Sequence, residues 1–310
     1  MTQLISGITG AVGNTPLVKL QNIVPRESAD VYVKLEYFNP TGSYKDRMAL
    51  ALIEEAEKRG DLKPGMTVVE YTGGSTGTSL AWVCATKGYK FKAISSNAFA
   101  KEKLQTISLF GADLEIIHSE GGMITPELFD RMKARTDELC TDPNYYPTRQ
   151  FSNEDAFTGY KTLGLEIVKQ MPAPISAFCA AAGTAGMVGG VTQIIKANDP
   201  NTKVVILEPA SSPVLTKGIK GTHQVEGIGV GYFPVLLHKA VYDEFRAIEE
   251  DDARAMTKML AAKEGIFAGI SSGLNVVAAL QLAKELGPGH NVVTIACDSG
   301  MKYLASGLFN

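Results

Sequence analysis

The chain lacks the features by which several large classes of protein are recognised. Its four cysteines are widely spaced and form no C-x-x-C pair, so neither a disulfide framework nor a zinc site is predicted. Its four histidines form no H-E-x-x-H or comparable spacing, and no metal ligands are predicted. No stretch of about 18 uninterrupted apolar residues is present, so a membrane span is not expected.

Basic runs are missing as well, and the formal net charge is -3. This charge gives no electrostatic support for binding nucleic acid or an anionic membrane. Residues 1–13 lack the basic start and continuous apolar segment of a secretion signal, so a cytoplasmic protein is predicted. At 310 residues and 45% apolar content, the chain can bury the core of one large or two moderate domains.

Short β-branched runs alternate with segments whose apolar residues recur at helical spacing. This alternation is typical of an α/β protein with mainly parallel sheets in three layers, helices lying on both faces. The predicted strands are 31–35, 67–71, 90–95, 114–117, 175–180, 204–208 and 292–296. The predicted helices are 48–59, 76–87, 101–110, 126–136, 159–170, 253–263 and 273–285, with another around Gly189 and Gly190.

A polar, proline-containing stretch at residues 141–147 lies between two helical patterns and is the predicted seam between two domains. The smaller α/β domain is predicted over residues 38–148. The larger is predicted over residues 1–37 together with 149–310. In sheets of this kind ligands bind beyond the carboxyl ends of the strands, where the glycine-rich loops lie.

Lys45 lies where a turn-rich loop gives way to a helical pattern. Apolar residues recur at helical spacing from Ala49 to Ala56, so a helix is predicted to begin near Ser43. A cation in the first turn faces the positive end of the helix dipole, which lowers the amine pKa as a nucleophilic lysine requires. The alternative is a solvated lysine at a helix start, beside Asp46.

Two loops of small residues each follow a predicted strand and precede a predicted helix. The glycines, hydroxyls and helix-start amides of residues 72–77 suit an anion such as a carboxylate. The loop at residues 182–187 suits a phosphate held by backbone N–H groups and the helix dipole. Either loop alone is equally well explained as a capped βα turn. The usual nucleotide-binding motifs are not matched.

Two further segments offer contacts to a flat ligand. Residues 227–232, Gly-Ile-Gly-Val-Gly-Tyr, suit a backbone surface lying close to such a ligand. Ser299 follows the carboxyl end of a buried strand and offers a neutral hydroxyl. Either segment alone could be only a tight turn.

Taken together and in this order, these segments resemble the pyridoxal-phosphate enzymes of the cysteine synthase and cystathionine β-synthase family. The similarity covers nearly the whole chain and implies a two-domain, tryptophan synthase β-like fold, known as pyridoxal-phosphate fold type II. The matching segments are Gly13-Asn14-Thr15-Pro16-Leu17, Lys34-Leu35-Glu36, Pro40-Thr41-Gly42-Ser43-Tyr44-Lys45-Asp46-Arg47, Gln150-Phe151, the 183–187 loop, Gly269-Ile270-Ser271-Ser272-Gly273 and Asp298-Ser299-Gly300.

The resemblance also implies a role for individual residues. Lys45 would form the Schiff base with pyridoxal 5'-phosphate and later move the α-proton, Ser75 would lie at the cofactor's 3′-oxygen, and Ser299 would hydrogen-bond the pyridine nitrogen. The cofactor phosphate would be held by Gly183, Thr184, Ala185, Gly186 and Met187. The substrate carboxylate would be held by Thr72, Gly73, Gly74, Thr76 and Gln150.

The activity implied by the resemblance is β-replacement on an activated serine such as O-acetylserine, by sulfide or another nucleophile. This reaction belongs to cysteine biosynthesis, and the expected form is a homodimer acting on small molecules. Because a serine hydroxyl at Ser299 does not force the pyridine nitrogen to stay protonated, the cofactor is a restrained electron sink. The alternatives are β-elimination, as in a cysteine desulfhydrase or serine/threonine deaminase, and a catalytically weak regulatory homologue.

Three positions depart from the family pattern. Ser75 replaces the usual asparagine, Gly73 the usual serine, and Met187 the usual threonine. Backbone amides are still expected to hold the phosphate without the threonine hydroxyl. Gly73 and the short Ser75 side chain are predicted to leave room near the substrate carboxylate and Cβ. Either a substrate bulkier or differently charged than O-acetylserine is therefore expected to be tolerated, or the partitioning of the aminoacrylate is expected to change. The alternative is that these substitutions are neutral and leave ordinary cysteine synthase activity.

Overall fold

The computed structural model describes residues 4–122, 125–306 and 308–309. Residues 1–3, part of the N-terminal segment examined for a secretion signal, lie outside the described residues. The described residues form ten strands and nine α-helices. The strands are β1 Leu17–Lys19, β2 Asp30–Leu35, β3 Thr67–Tyr71, β4 Lys90–Ser95, β5 Asp113–Ile116, β6 Tyr145–Pro147, β7 Ala177–Ala181, β8 Lys203–Pro209, β9 Glu244–Ile248 and β10 Asn291–Ala296. The helices are α1 Lys45–Arg59, α2 Ser75–Lys87, α3 Lys101–Leu109, α4 Pro126–Leu139, α5 Ala156–Gln170, α6 Gly186–Asn198, α7 Val214–Lys217, α8 Glu250–Met259 and α9 Ile270–Leu286.

The chain forms two compact units. The first unit contains the N-terminal segment through Val12 and Lys45–Ala156. The second unit contains Gly13–Tyr44 and the rest of the chain from Phe157.

The first unit is built on a four-stranded parallel sheet in the order β5-β4-β3-β6. Successive side chains of a strand point to opposite faces, so both faces of the central strands are apolar. Val68 and Ala93 pack with α1 and α2 in one core cluster. Val69 and Ile94 pack with α4 in another. Helices therefore cover both faces of this sheet, as the alternating pattern predicted.

The second unit is built on a six-stranded sheet in the order β1-β2-β10-β7-β8-β9. Only β1, at one edge, runs antiparallel to its neighbour. Every residue of Ala177–Ala181 is buried, as expected for a parallel strand covered on both faces. α9 packs along this sheet and contributes much of its core. No helix in the described ranges, α9 included, is long and apolar enough to cross a membrane.

The α/β class is confirmed, and the predicted strands recur within two residues at either end. Several helices begin about one turn earlier than predicted, because the apolar pattern starts only where a helix begins to pack. The short strands β1 and β6 and the edge strand β9 were not predicted. β6 lies within the predicted seam, where Tyr145 pairs with Thr67 of β3, so that segment belongs to a sheet.

Both predicted domain boundaries differ from the observed ones. The chain passes into the first unit at Lys45, where 38 was predicted, and leaves it after Ala156, where 148 was predicted. The Tyr44 N–H donates to the Cys297 carbonyl at 3.0 Å, which ties the preceding loop to the second unit. The Gln150 N–H donates to Glu70 at 2.8 Å, which keeps the segment after β6 in the first unit. Val12 packs against the core of the first unit, which explains why the N-terminal segment belongs there.

Candidate active site

Lys45 is the first residue of α1 and is buried, with 7% of its surface exposed. The sequence placed the helix start near Ser43, slightly earlier. The neighbouring Asp46 is fully buried, and its Oδ1 accepts a hydrogen bond of 2.6 Å from Ser79 Oγ of α2. This bond fixes the helical turn that carries Lys45 against α2 in the first unit.

The loop between β3 and α2 is held by its own threonine. Thr72 Oγ1 accepts hydrogen bonds from the Gly74 N–H at 3.3 Å and the Gly77 N–H at 3.1 Å. α2, a 13-residue helix, then begins at Ser75, so residues 72–74 lead directly into its N-terminal end. The positive end of the helix dipole at this loop favours an anion.

Gln150 lies beside this loop, although it is 74 residues away in sequence from Thr76. Thr76 Oγ1 donates to Gln150 Oε1 at 2.7 Å, and Gln150 Nε2 donates to the Tyr71 carbonyl at 3.1 Å. An amide nitrogen carries two hydrogens, so a second N–H remains for a further acceptor. The structure thus brings together two residues predicted to hold the substrate carboxylate.

Sequence reasoning missed Glu70, which is 1% exposed. Its Oε2 accepts from Thr148 Oγ1 at 2.7 Å and from the Gln150 N–H at 2.8 Å, while Oε1 accepts from the Tyr71 N–H at 3.0 Å. Burial raises the pKa of Glu70 to about 7, and these donors act in the opposite direction. A lone acidic residue in the apolar run 67–71 was the available signal.

The space predicted beside Gly73 is filled. A Cβ built on Gly73 would overlap the ring of Phe99, which also packs against Phe129 with ring centroids 6.2 Å apart. The prediction that Gly73 leaves room is therefore wrong, because an aromatic side chain from the loop before α3 occupies that volume. Ser75, partly exposed at the start of α2, keeps its short side chain.

In the second unit, the predicted phosphate loop connects β7 to α6. A Cβ on Gly183 would overlap the Gly227 carbonyl oxygen, so only glycine allows this approach of two backbones. Ala185 adopts a left-handed conformation, φ 67°, immediately before the first helical residue, Gly186. A left-handed residue followed by a right-handed helix points successive backbone N–H groups to the same side, and such an arrangement is an anion-binding nest. Thr184 is 7% exposed, so the loop is buried.

The glycine-rich segment 227–231 packs against this loop. Gly229 N–H donates to the Ala182 carbonyl at 3.0 Å, and His223 Nε2 lies 2.7 Å from the Gly229 oxygen. Gly227, Gly229 and Gly231 all have positive φ values, a conformation that glycine adopts without strain.

Ser299 lies directly after β10 in the same unit. Its Oγ accepts from the Met301 N–H at 3.2 Å, and its own N–H donates to the Gly42 carbonyl at 3.0 Å. Because the oxygen serves as an acceptor, the hydroxyl hydrogen can be donated to a heterocyclic nitrogen.

The predicted site residues therefore form one group in each unit. The first unit holds Lys45, Thr72, Gly73, Gly74, Ser75, Thr76 and Gln150. The second unit holds Gly183, Thr184, Ala185, Gly186, Met187 and Ser299. The first unit thus offers a buried primary amine, and the second offers a nest of backbone N–H groups and a neutral hydroxyl; the chemistry of each group fits pyridoxal phosphate.

Comparison with known proteins agrees with this chemistry. Residues 8–298 match the model of the family described as pyridoxal-phosphate dependent enzyme. The chain is 41% identical to a cysteine synthase of Staphylococcus aureus, over 99% of this chain and 97% of the relative. It is 35% identical to a solved O-ureido-L-serine synthase, with a TM-score of 0.91 and coverage of 99% and 96%. It is 36% identical to a hydrogen sulfide-producing enzyme of Fusobacterium nucleatum, with a TM-score of 0.90 and coverage of 98% and 99%.

The fold and the donor set define an α/β enzyme of the pyridoxal-phosphate type. The chain belongs to the pyridoxal-phosphate dependent enzyme family. The resemblance to cysteine synthases, the fold type and the cofactor inferred from the sequence are confirmed.

The pKa of Glu70 leads to a prediction for stability against pH. The folded protein holds this proton up to about pH 7, whereas the unfolded chain releases it near the ordinary value of 4.5. The folded state therefore binds more protons between these values, so the free energy of unfolding should fall by about 3 kcal/mol as pH rises through this window. Urea denaturation followed by Trp82 fluorescence should show the decline, and Glu70→Gln should flatten it.

Glu115→Gln is the matched control, because hydrogen bonding by Arg135 lowers the pKa of Glu115 and its titration lies below this window. The control should keep the decline. A decline of equal size in Glu70→Gln would show that another group causes it.

The overlap between Gly73 and Phe99 leads to a second prediction. Gly73→Ser should lower the free energy of unfolding by about 1–3 kcal/mol, because the new Cβ displaces the ring. In a Phe99→Ala background the same change should cost at least about 1 kcal/mol less, a coupling that urea denaturation can measure. Gly7→Ser is the control, since a Cβ there meets nothing within 4 Å. Equal costs in the two backgrounds would contradict the steric explanation.

Proposed function

We propose that this enzyme catalyses β-replacement on an activated serine, O-acetylserine or a similar compound, with sulfide or another nucleophile. The observation that carries the proposal is the first unit's anion loop, where the α2 start, Thr76 and Gln150 converge beside the strand end. Such a site suits the carboxylate of an amino acid. The 41% identity to a cysteine synthase over 99% of this chain supports the same reaction.

Bound pyridoxal phosphate supplies an electron sink for charge that develops at the substrate Cα. Lys45 would hold the cofactor through Nζ and move the proton at Cα. Backbone N–H groups of residues 183–187 would hold the phosphate, and Ser299 would donate to the ring nitrogen. Ser75 would lie at the 3′-oxygen. Because a hydroxyl reaches less far than an asparagine amide, that oxygen would either lose its direct protein donor or gain a bridging water.

The substrate carboxylate is held by the 72–76 loop and Gln150. Gln150 Oε1 is engaged by Thr76, so its amide presents N–H rather than oxygen to the anion. In this proposal the first unit carries the lysine and the substrate loop, and the second carries the phosphate loop. In β-replacement the Cβ–O bond of the ester would break first, with acetate leaving, and the Cβ–S bond would then form, so that sulfide and O-acetylserine give cysteine and acetate.

A second candidate is β-elimination, favoured by the 36% identity to a hydrogen sulfide-producing enzyme over 98% of this chain. In that reaction cysteine and water give pyruvate, ammonia and hydrogen sulfide. The same lysine and carboxylate site would serve it. The two reactions differ in the group that Cβ gains after the leaving group departs. Cβ gains a nucleophile in β-replacement and a proton in β-elimination.

One set of assays separates these candidates. The holoenzyme is supplied with O-acetylserine or O-phosphoserine, with and without sulfide, and separately with L-cysteine alone. Cysteine formed from O-acetylserine and sulfide faster than pyruvate is expected. Pyruvate and sulfide from L-cysteine, without cysteine synthesis from either ester, would establish elimination instead.

Lys45 is predicted to be the lysine that carries the cofactor. Borohydride reduction of the holoenzyme followed by peptide mapping should place the cofactor on Lys45, and Lys45→Ala should lose this reducible attachment. Lys161→Ala, a lysine outside the predicted site, should retain it. Trapped cofactor on another lysine, such as Lys34, would refute the assignment.

Met187 gives a prediction for cofactor affinity. Its buried side chain donates no hydrogen bond, so Met187→Thr should tighten cofactor binding by about 1 kcal/mol, the net value of one hydrogen bond. Met187→Val is the control for side-chain size without a hydroxyl and should show no such gain. Equilibrium dialysis of the apoprotein with pyridoxal phosphate measures both. A gain of several kcal/mol would mean that the natural loop holds phosphate poorly.

Homodimer formation and a cytoplasmic location stay predictions. Light scattering of the purified holoenzyme would test the first, and fractionation of the source cells the second.

A further inference from the structure

The carboxylate of Glu70 contacts both sides of a strained turn. The Thr148 N–H donates to the Val69 carbonyl at 3.2 Å, and the chain then turns at Arg149, which has φ 52°. A non-glycine residue in this left-handed region costs of the order of 1–2 kcal/mol. Thr148 and Gln150 flank it, and both donate to the same oxygen of Glu70, at 2.7 and 2.8 Å. One buried oxygen therefore holds the turn on both sides.

The contacts continue from this turn to the anion loop. Gln150, held through its backbone N–H by Glu70, uses its side chain to contact the Tyr71 carbonyl and Thr76 Oγ1. Glu70 also accepts a hydrogen bond from the Tyr71 N–H. Its two oxygens therefore contact both the backbone of Gln150 and the residue whose carbonyl accepts from the Gln150 side chain. A shift of the turn would therefore move the donors proposed to hold the carboxylate.

We propose that Glu70 is a positioning residue for substrate recognition, setting the direction in which Gln150 presents its remaining amide N–H to the substrate carboxylate. The inference rests on the proposed function, in which Gln150 and the 72–76 loop hold that carboxylate. Glu70 itself touches neither substrate nor cofactor in this scheme. It acts through the backbone of Gln150 and the hydroxyl of Thr148.

All three contacts to Glu70 come from donors, so an ionised carboxylate suits them and a carboxamide does not. In Glu70→Gln an NH2 group would face either the Tyr71 N–H or the pair from Thr148 and Gln150. The other charged or titratable groups affecting Glu70 are Arg149, whose guanidinium lowers its pKa, and Cys140. Burial nevertheless raises the pKa of Glu70 to about 7, so the test is made at pH values about one unit above it.

The test compares two ligands that differ only at the carboxylate. L-serine and L-serinamide are titrated into the holoenzyme, and their dissociation constants are taken from the change in cofactor absorbance. Glu70→Gln should weaken L-serine binding about tenfold or more, while L-serinamide binding changes less than about twofold. In a Gln150→Ala background, Glu70→Gln should weaken L-serine binding no further.

Two further variants complete the design. Glu115 lies on β5, which is separated from β3 by β4, and its carboxylate contacts Arg135 at 2.6 Å and Lys92 at 3.1 Å. Glu115→Gln should bind both ligands normally. Thr148→Val removes one donor to Glu70 and should weaken L-serine binding about threefold. Hydrogen exchange of the 145–155 peptide should accelerate in Glu70→Gln and stay unchanged in Glu115→Gln.

Each outcome decides the question. Equal weakening of both ligands in Glu70→Gln, or no weakening of either, would overturn the positioning role while the proposed function stands. If Glu70→Gln does not fold, Thr148→Val decides by the same comparison. A wild-type holoenzyme that binds neither ligand and turns over no serine ester would overturn the proposed function and this inference with it.

Discussion

The parallel pairing of β3 with β6 is the constraint on which the substrate side of the site depends. This pairing places Val69 opposite Pro147 and brings the two strands to a common carboxyl edge. The loop after β3 becomes the start of α2, and the turn after β6 presents Gln150. Glu70 holds that turn, so a buried acidic residue and a short edge strand together decide where the donors lie.

In the second unit, the loop proposed to hold the phosphate is shaped by close contacts between backbones. Gly183 lies so close to Gly227 that no side chain fits between them, and Ala185 accepts a left-handed conformation to begin α6. The donors of such a nest are main-chain groups, which no substitution other than proline removes. The proposed phosphate loop can therefore carry Met187, whose side chain has no hydroxyl.

The surroundings of Gly73 show that the size of one residue does not decide how much space a site has. Gly73 has no side chain, yet the volume beside it is occupied by Phe99 from a distant part of the sequence. A missing side chain creates space only if no neighbour fills it, and close packing in protein interiors makes filling the usual outcome. The space beside this loop therefore depends on Gly73 and Phe99 together and not on Gly73 alone.

Local patterns were enough to predict most strands and helices, the loops at residues 72–76 and 183–187, and the helix that begins at Lys45. These features depend on periodicity, glycine and chain direction within about 20 residues, and such information is present in any short window. The strands β1, β6 and β9 are short or lie at sheet edges, and they form because a neighbouring strand is available to pair with them. The contacts of Glu70 with Thr148 and Gln150, and of Phe99 with Gly73, join residues far apart in the chain. Only the tertiary structure decided these contacts, because strand order and register determine which distant side chains meet.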